Sequence, residues 1–235
     1  MSKVNIPKFK VYSSLGIKLT DHPKLTSQKL RSKKWRLLFS PNRRPRKETE
    51  YGLMLQAKQK LRTFYGCTSD KQFTNTFIKA GYYKGNQIIN FIKLMERRLD
   101  VILLRSKISP SVVEIRQFIQ HGHFSLNNSL IKTPSLLLNK NDFIKVNPQS
   151  IDLIKNKVSD YYLNLINNNK ISTKLTLNQI INKQPILFIP NYLEFNHDLM
   201  EGKLINTPDV ENICYSFNPD LTSLMDYYKY KLKIN

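Results

Sequence analysis

Cysteine, glycine and long apolar runs are scarce in this 235-residue chain, and arginine disappears halfway along it. The two cysteines, Cys67 and Cys214, make no metal-ligand spacing, and sequence alone argues no disulfide between them. Buried or idle thiols in a reducing compartment are the reading they support. Seven glycines leave little room for a phosphate-cradling loop, and neither a nucleophile elbow nor an acid pair stands in its place. His22, His121, His123 and His197 are scattered with no further ligands at usable spacing, so neither a zinc site nor another cofactor site is predicted. With no apolar run of about 18 residues, no membrane-spanning helix is predicted. Residues 1–20 are basic through lysine alone, and their apolar stretch is too short and broken for a signal peptide. No transit peptide is predicted either.

Positive charge is what the chain has in excess, a formal +21. Residues 1–65 hold 17 Lys and Arg against 3 acids, residues 66–150 hold 12 against 5, and residues 151–235 hold 9 of each. The whole excess therefore lies in the first 150 residues, and no arginine follows Arg116. A solvated face would mix both signs; a one-signed excess implies a polyanionic partner. The forked donors of arginine match phosphate, which places the nucleic-acid-facing surface in the N-terminal two thirds.

Residues 1–50 form a basic arm ill-suited to independent folding, interrupted by Pro7, Pro23, Pro41 and Pro45 and carrying the run Arg43, Arg44, Arg46 and Lys47. Trp35 and Phe39 could stack on bases or anchor the arm, and the sequence does not choose. Met54, Ala57, Leu61 and Phe64 or Tyr65 then mark a buried helical stripe with Lys58 and Arg62 on another face, ended by Gly66. Asp70 caps a helix carrying Phe73 and Phe77 inward, broken at Gly81 to Gly85. From Asn86 a long helix is predicted to run through Glu96, Arg97 and Arg98, with Ile92, Met95, Leu99 and Ile102 on its buried stripe and Arg98 and Arg105 elsewhere.

Ser111 and Glu114 read as a capping box opening a helix with Val112, Ile115 and Ile119 inward and Arg116 and Gln120 outward. Gly122 ends it, Phe124 and Leu126 alternate as in a strand, and Asn127-Asn128 makes a hairpin turn. Ile151, Ile154, Val158, Tyr161 and Leu165 space an amphipathic helix. Short strands are predicted around residues 185–190 and 192–195, with a turn at Glu201-Gly202.

Arg98-Leu99-Asp100, Ser111 to Gln117, His121-Gly122, Leu126 to Asn128, Thr133-Pro134-Ser135 and Asn141 to Ile144 stand in the order of a known pattern. They resemble the small RNA-binding module named after ribosomal protein S-four. Arg46-Lys47, Tyr51-Gly52, the Lys58 to Arg62 helix and Tyr65-Gly66 resemble a second signature, which precedes that module in the S-four ribosomal family and not in the enzymes sharing it. Asn128 and Asn141 stand where the family has glycine, and asparagine tolerates the left-handed backbone such turns need.

The resemblance implies an α+β fold: a helical N-terminal subdomain at 51–95, an inserted module of two helices and a small sheet at 96–150, and a C-terminal helix and strands at 151–235 returning to the N-terminal subdomain. It implies a structural constituent of the small ribosomal subunit that binds the 5′ domain of small-subunit ribosomal RNA at a helix junction early in assembly. There it would sit beside protein S-five near the path of messenger RNA, influencing decoding fidelity. The RNA contacts expected are Arg43, Arg44, Arg46, Lys47, Lys58, Lys60, Arg62, Arg97, Arg98, Arg105, Arg116, Gln117 and His121. Arg116→Ala is expected to weaken binding with the fold intact, and Asp100 to hold an arginine or a helix in place. Pseudouridine synthases carry similar modules, but the 85 residues after position 150 hold no catalytic signature, so no enzyme is expected. The alternative is an assembly factor that visits ribosomal RNA without remaining. Richness in Asn, Ile, Lys, Tyr and Phe is what an AT-rich genome writes. It points to an organellar ribosome, a mitochondrial one first, with a plastid or bacterial cytoplasm as alternatives.

Overall fold

The computed structural model describes residues 15, 49–66, 68–109, 111–169, 189–210, 213, 215 and 217–234, with side chains left aside at 161–169 and 233–234. Arg43, Arg44, Arg46 and Lys47 of the basic arm, and residues 185–188 of the strand expected from 185, fall outside the described residues. The chain divides into two compact units, one drawn from 1–74 and 214–235 and the other spanning 75–213.

In the first unit, α1 (Glu50–Phe64) starts at Thr49, whose hydroxyl accepts the Gly52 N–H at 3.2 Å, and Gly66 closes its end at φ +74°. Helix α2 (Asp70–Gly81) begins here and places Phe73 in the interior. The last helix of the chain, called α7 below (Leu221–Ile234), packs along α1 and buries Leu224, Tyr227 and Tyr228. Its start is fixed by Asp220, which accepts the Ser223 N–H at 3.0 Å and the Ser223 hydroxyl at 2.6 Å. Those bonds hold the Asp220 carboxyl below its usual pKa. The Lys58 ammonium lies 5.1 Å from the Tyr227 ring centroid and pairs with Asp70, which Lys231 also reaches at 3.0 Å. Burial works to raise the Asp70 pKa, and these two cations outweigh it, so the carboxyl lies below its ordinary value.

The second unit holds α3 (Gln87–Glu96), α4 (Leu99–Arg105), α5 (Val112–Gln120), β1 (Phe124–Leu126), β2 (Ser129–Ile131) and β3 (Phe143–Val146). A 3₁₀ turn at Pro148–Ser150, α6 (Ile151–Asn169), β4 (Leu193–Asn196) and β5 (Glu201–Leu204) follow. The sheet is antiparallel in the order β2-β1-β3-β5-β4. Leu99, Ile102 and Leu103 of α4, Ile115 and Ile119 of α5, Phe124, Ile144, Ile154, Val158 and Leu204 form one buried cluster against it. Asn127 and Asn128 take φ +48° and +68°, the doubly left-handed pair of a two-residue hairpin whose twist suits its strands. Asn141 takes φ +70° and Gly122 +77°, so the asparagines do adopt the backbone that glycine would supply.

Three local expectations are corrected. The long helix from Asn86 is broken at Arg97-Arg98, because the chain there turns to pair with residues 133–138. Leu99 N–H donates to the Leu136 carbonyl at 2.9 Å, Asp100 N–H donates to the Pro134 carbonyl at 3.2 Å, and Arg98 bridges Leu137. Ser111 is the N-cap of α5 without a side-chain cap bond; Ser109 instead donates to Glu114 at 2.5 Å and accepts the Ser111 N–H. Glu201-Gly202 is not a turn but the start of β5, and the turn lies at residues 197–200. A Cβ on Gly202 would collide with the Phe195 ring, so this strand pair requires glycine there. The C-terminal strands continue the module's sheet through β3–β5 pairing, and α7 packs on the N-terminal helix.

Candidate nucleic-acid interface

Two fully buried carboxylates organise the arginines of the second unit. Asp100 accepts from Arg98 Nε at 3.0 Å, Arg98 Nη2 at 2.9 Å and Arg116 Nε at 2.8 Å, tying the start of α4 to the middle of α5. Glu96 receives Arg105 Nε at 3.2 Å and Nη2 at 2.8 Å, and Tyr192 donates its hydroxyl to the same carboxylate at 3.1 Å. Burial first, and the Glu96 charge second, push the Tyr192 phenol upward, so it stays a donor. Asp100 thus has the positioning role expected of it. Glu96 and Tyr192 form a second clamp whose members lie 96 positions apart, which sequence spacing could not connect.

The predicted contact residues consequently separate into two groups. Side chains of Arg98, Arg105 and Arg116 are 8%, 15% and 22% exposed, so much of each guanidinium is committed inside the unit. Arg97 donates to the Leu138 carbonyl at 2.8 Å and to Asn139 at 2.6 Å. In the first unit Lys58 is buried in its pair with Asp70, and Arg62 Nε donates to the Thr68 carbonyl at 2.6 Å. Gln117 and His121 are exposed and Lys60 is half-buried. The structure adds Lys132, an exposed residue whose side-chain carbon approaches the Cα face of Gly122 beside His121, and exposed Lys140. His121 and His123 have ring centroids 5.9 Å apart, and His123 Nδ1 shares a 2.7 Å bond with Ser150. Lys132 follows a strand in the sequence, and only the hairpin brings it to the end of α5.

His197, in the turn after β4, is buried with neither ring nitrogen bonded among the described residues, its ring 5.0 Å from that of Phe195. Burial lowers its pKa from 6.5 to about 4. The neutral ring is therefore the folded form: its contribution is complete above pH 6.5 and is lost as pH falls from there to about 4. That difference amounts to roughly 3 kcal/mol. Urea melts at pH 7, 5.5 and 4.5 should show His197→Phe losing less stability on acidification than the wild type; parallel losses would contradict the assignment.

A helix pair feeding a small antiparallel sheet, with basic and polar side chains around the end of its second helix, defines the class of protein. The family model described as the S4 domain matches residues 97–144, and that described as the ribosomal protein S4/S9 N-terminal domain matches residues 3–96. The Small ribosomal subunit protein uS4 of Dinoroseobacter shibae is 28% identical over 232 residues, covering 97% of this chain and 98% of the relative. That of Rickettsia prowazekii is 32% identical over 184 residues, 77% of this chain and 78% of the relative. The Small ribosomal subunit protein uS4m of Reclinomonas americana is 31% identical over 181 residues, 77% of this chain and 66% of the relative. The chain belongs to the uS4 family of small ribosomal subunit proteins.

Proposed function

We propose that the chain is a structural, non-enzymatic constituent of the small ribosomal subunit that binds its ribosomal RNA. The observation that carries this reading is the head-to-tail match of two family models over residues 3–144, the stretch that also holds nearly all of the charge excess. Phosphate neutralisation by a broad basic surface, with recognition of RNA shape and little base reading, is the mechanism that composition favours. The target we propose is the helix junction of the RNA 5′ domain, bound early in assembly. Protein S-five is the proposed neighbour, with the messenger RNA path nearby and an influence on fidelity. An organellar ribosome, mitochondrial first, is supported by the AT-rich composition and by the relative named uS4m.

Within the site, Arg43, Arg44, Arg46 and Lys47 of the proposed arm at 1–50 join Lys60, Arg97, Gln117, His121 and Lys132 as proposed contacts. Arg98, Arg105 and Arg116 act first as positioning residues, and Lys58 and Arg62 through the packing of α1. Filter binding of a 5′-domain transcript between 50 and 300 mM salt tests this. Replacing the four arm residues by Ala should flatten the slope of log affinity against log salt by about 3, since each neutralised phosphate adds about 0.7–0.9 to that slope. An unchanged slope would remove the arm from the interface.

A further inference from the structure

The turn joining α2 to α3 presents two tyrosines to solvent. Tyr82 is 83% exposed and Tyr83 55%, in a run from 81 to 86 that is exposed throughout. Large exposed aromatics on a loosely held loop would mean little, but this backbone is tied at each step. Tyr82 N–H donates to the Lys79 carbonyl at 3.2 Å and Tyr83 N–H to the Ala80 carbonyl at 3.4 Å. The Asn90 side-chain amide reaches the carbonyls of both Tyr83 and Lys84 at 3.2 Å, and Gln87 Nε2 donates to the Phe77 carbonyl at 3.1 Å. Gly85 at φ +103° and the Asn86 cap of α3 complete the turn.

The segment that carries the pair bears charge of one sign. Between Asn75 and Met95 there are three lysines and no acid. Lys93 is paired with Asp209 at 2.8 Å, whereas Lys79 and Lys84 are exposed and enter no ion pair among the described residues. Two outward aromatic faces flanked by two uncommitted ammoniums match a nucleotide in both its parts, base and phosphate. An apolar protein partner would match only the rings and would leave two lysines to be desolvated.

We propose that Tyr82 and Tyr83 form a stacking platform for unpaired bases of RNA, with Lys79 and Lys84 neutralising the adjoining phosphates. This rests on the RNA-binding reading above and goes beyond it, because that reading invokes phosphate and shape alone. A turn fixed before binding loses little backbone freedom on docking, and tyrosine has few side-chain rotamers to order.

The test is filter binding of the full chain to a small-subunit 5′-domain transcript across a salt series. Tyr82→Ala/Tyr83→Ala should lower affinity at least about 5-fold, as removal of base stacking does, with the salt slope unchanged. Tyr82→Phe/Tyr83→Phe should bind as the wild type does, since the ring is kept. Lys79→Ala/Lys84→Ala should instead flatten the slope by about 1.5. Wild-type affinity in the double-alanine variant would overturn the platform; if that variant then failed only to join particles containing the other proteins, the turn faces protein. Failure of the wild type to bind the transcript would overturn the RNA reading and this inference together.

Discussion

Asp100→Ala is expected to lower the unfolding free energy by about 3–5 kcal/mol, the range for removing one partner from a buried ion pair. The carboxylate is fully buried and accepts three bonds, so its loss leaves the 8%-exposed Arg98 with a charge and no counter-ion among the described residues. Arg116 loses the same carboxylate, but its side chain is 22% exposed and less dependent on it. Arg116→Ala should therefore be milder, about 1–3 kcal/mol, because the Arg98–Asp100 pair survives. Such a loss is compatible with the expectation from sequence that Arg116→Ala leaves the fold intact. Urea denaturation followed by circular dichroism measures both; equal effects of the two substitutions would contradict the hierarchy.

Glu96→Ala should be comparable in size, again about 3–5 kcal/mol, since it removes a fully buried carboxylate that accepts from both Arg105 and Tyr192. Tyr192→Phe removes one hydrogen bond and leaves the Arg105–Glu96 pair, so it should lower stability by about 1 kcal/mol. In the Glu96→Ala background the same tyrosine change should have almost no effect, because its bond is already gone. A double-mutant cycle reads this directly. Additive losses would mean that Tyr192 is held by packing, not by Glu96. Because burial raises the Tyr192 pKa, this coupling should not change between pH 6 and 9.

The parts of the fold carried by local pattern were legible in the sequence. The stripe Leu99 and Ile102, the inward face Ile115 and Ile119, the Gly122 stop and the Asn127-Asn128 turn are each set within a few residues, and each is found. What was missed depends on distant chain. The break at Arg97-Arg98 arises from pairing with residues 133–138, and β5 from pairing with β3, neither of which leaves a local mark. Helix α7 did leave one: Asp220 as a cap, with Leu221, Leu224 and Tyr228 at spacings of three and four. For the proposed interface, charge points to a general region, but charge alone cannot separate an arginine open to solvent from one facing Asp100. Arg98, Arg105 and Arg116 looked alike in sequence, and only their pairing with buried Asp100 and Glu96 sets them apart from exposed His121 and Lys132.

Residence in the small ribosomal subunit is tested most directly by sedimenting native extract through a sucrose gradient in high salt and following this chain by mass spectrometry. Co-migration with mature small-subunit particles after the salt wash is the predicted result. Release to the top of the gradient, or association with incomplete particles alone, would contradict residence and identify a factor that visits the RNA during assembly.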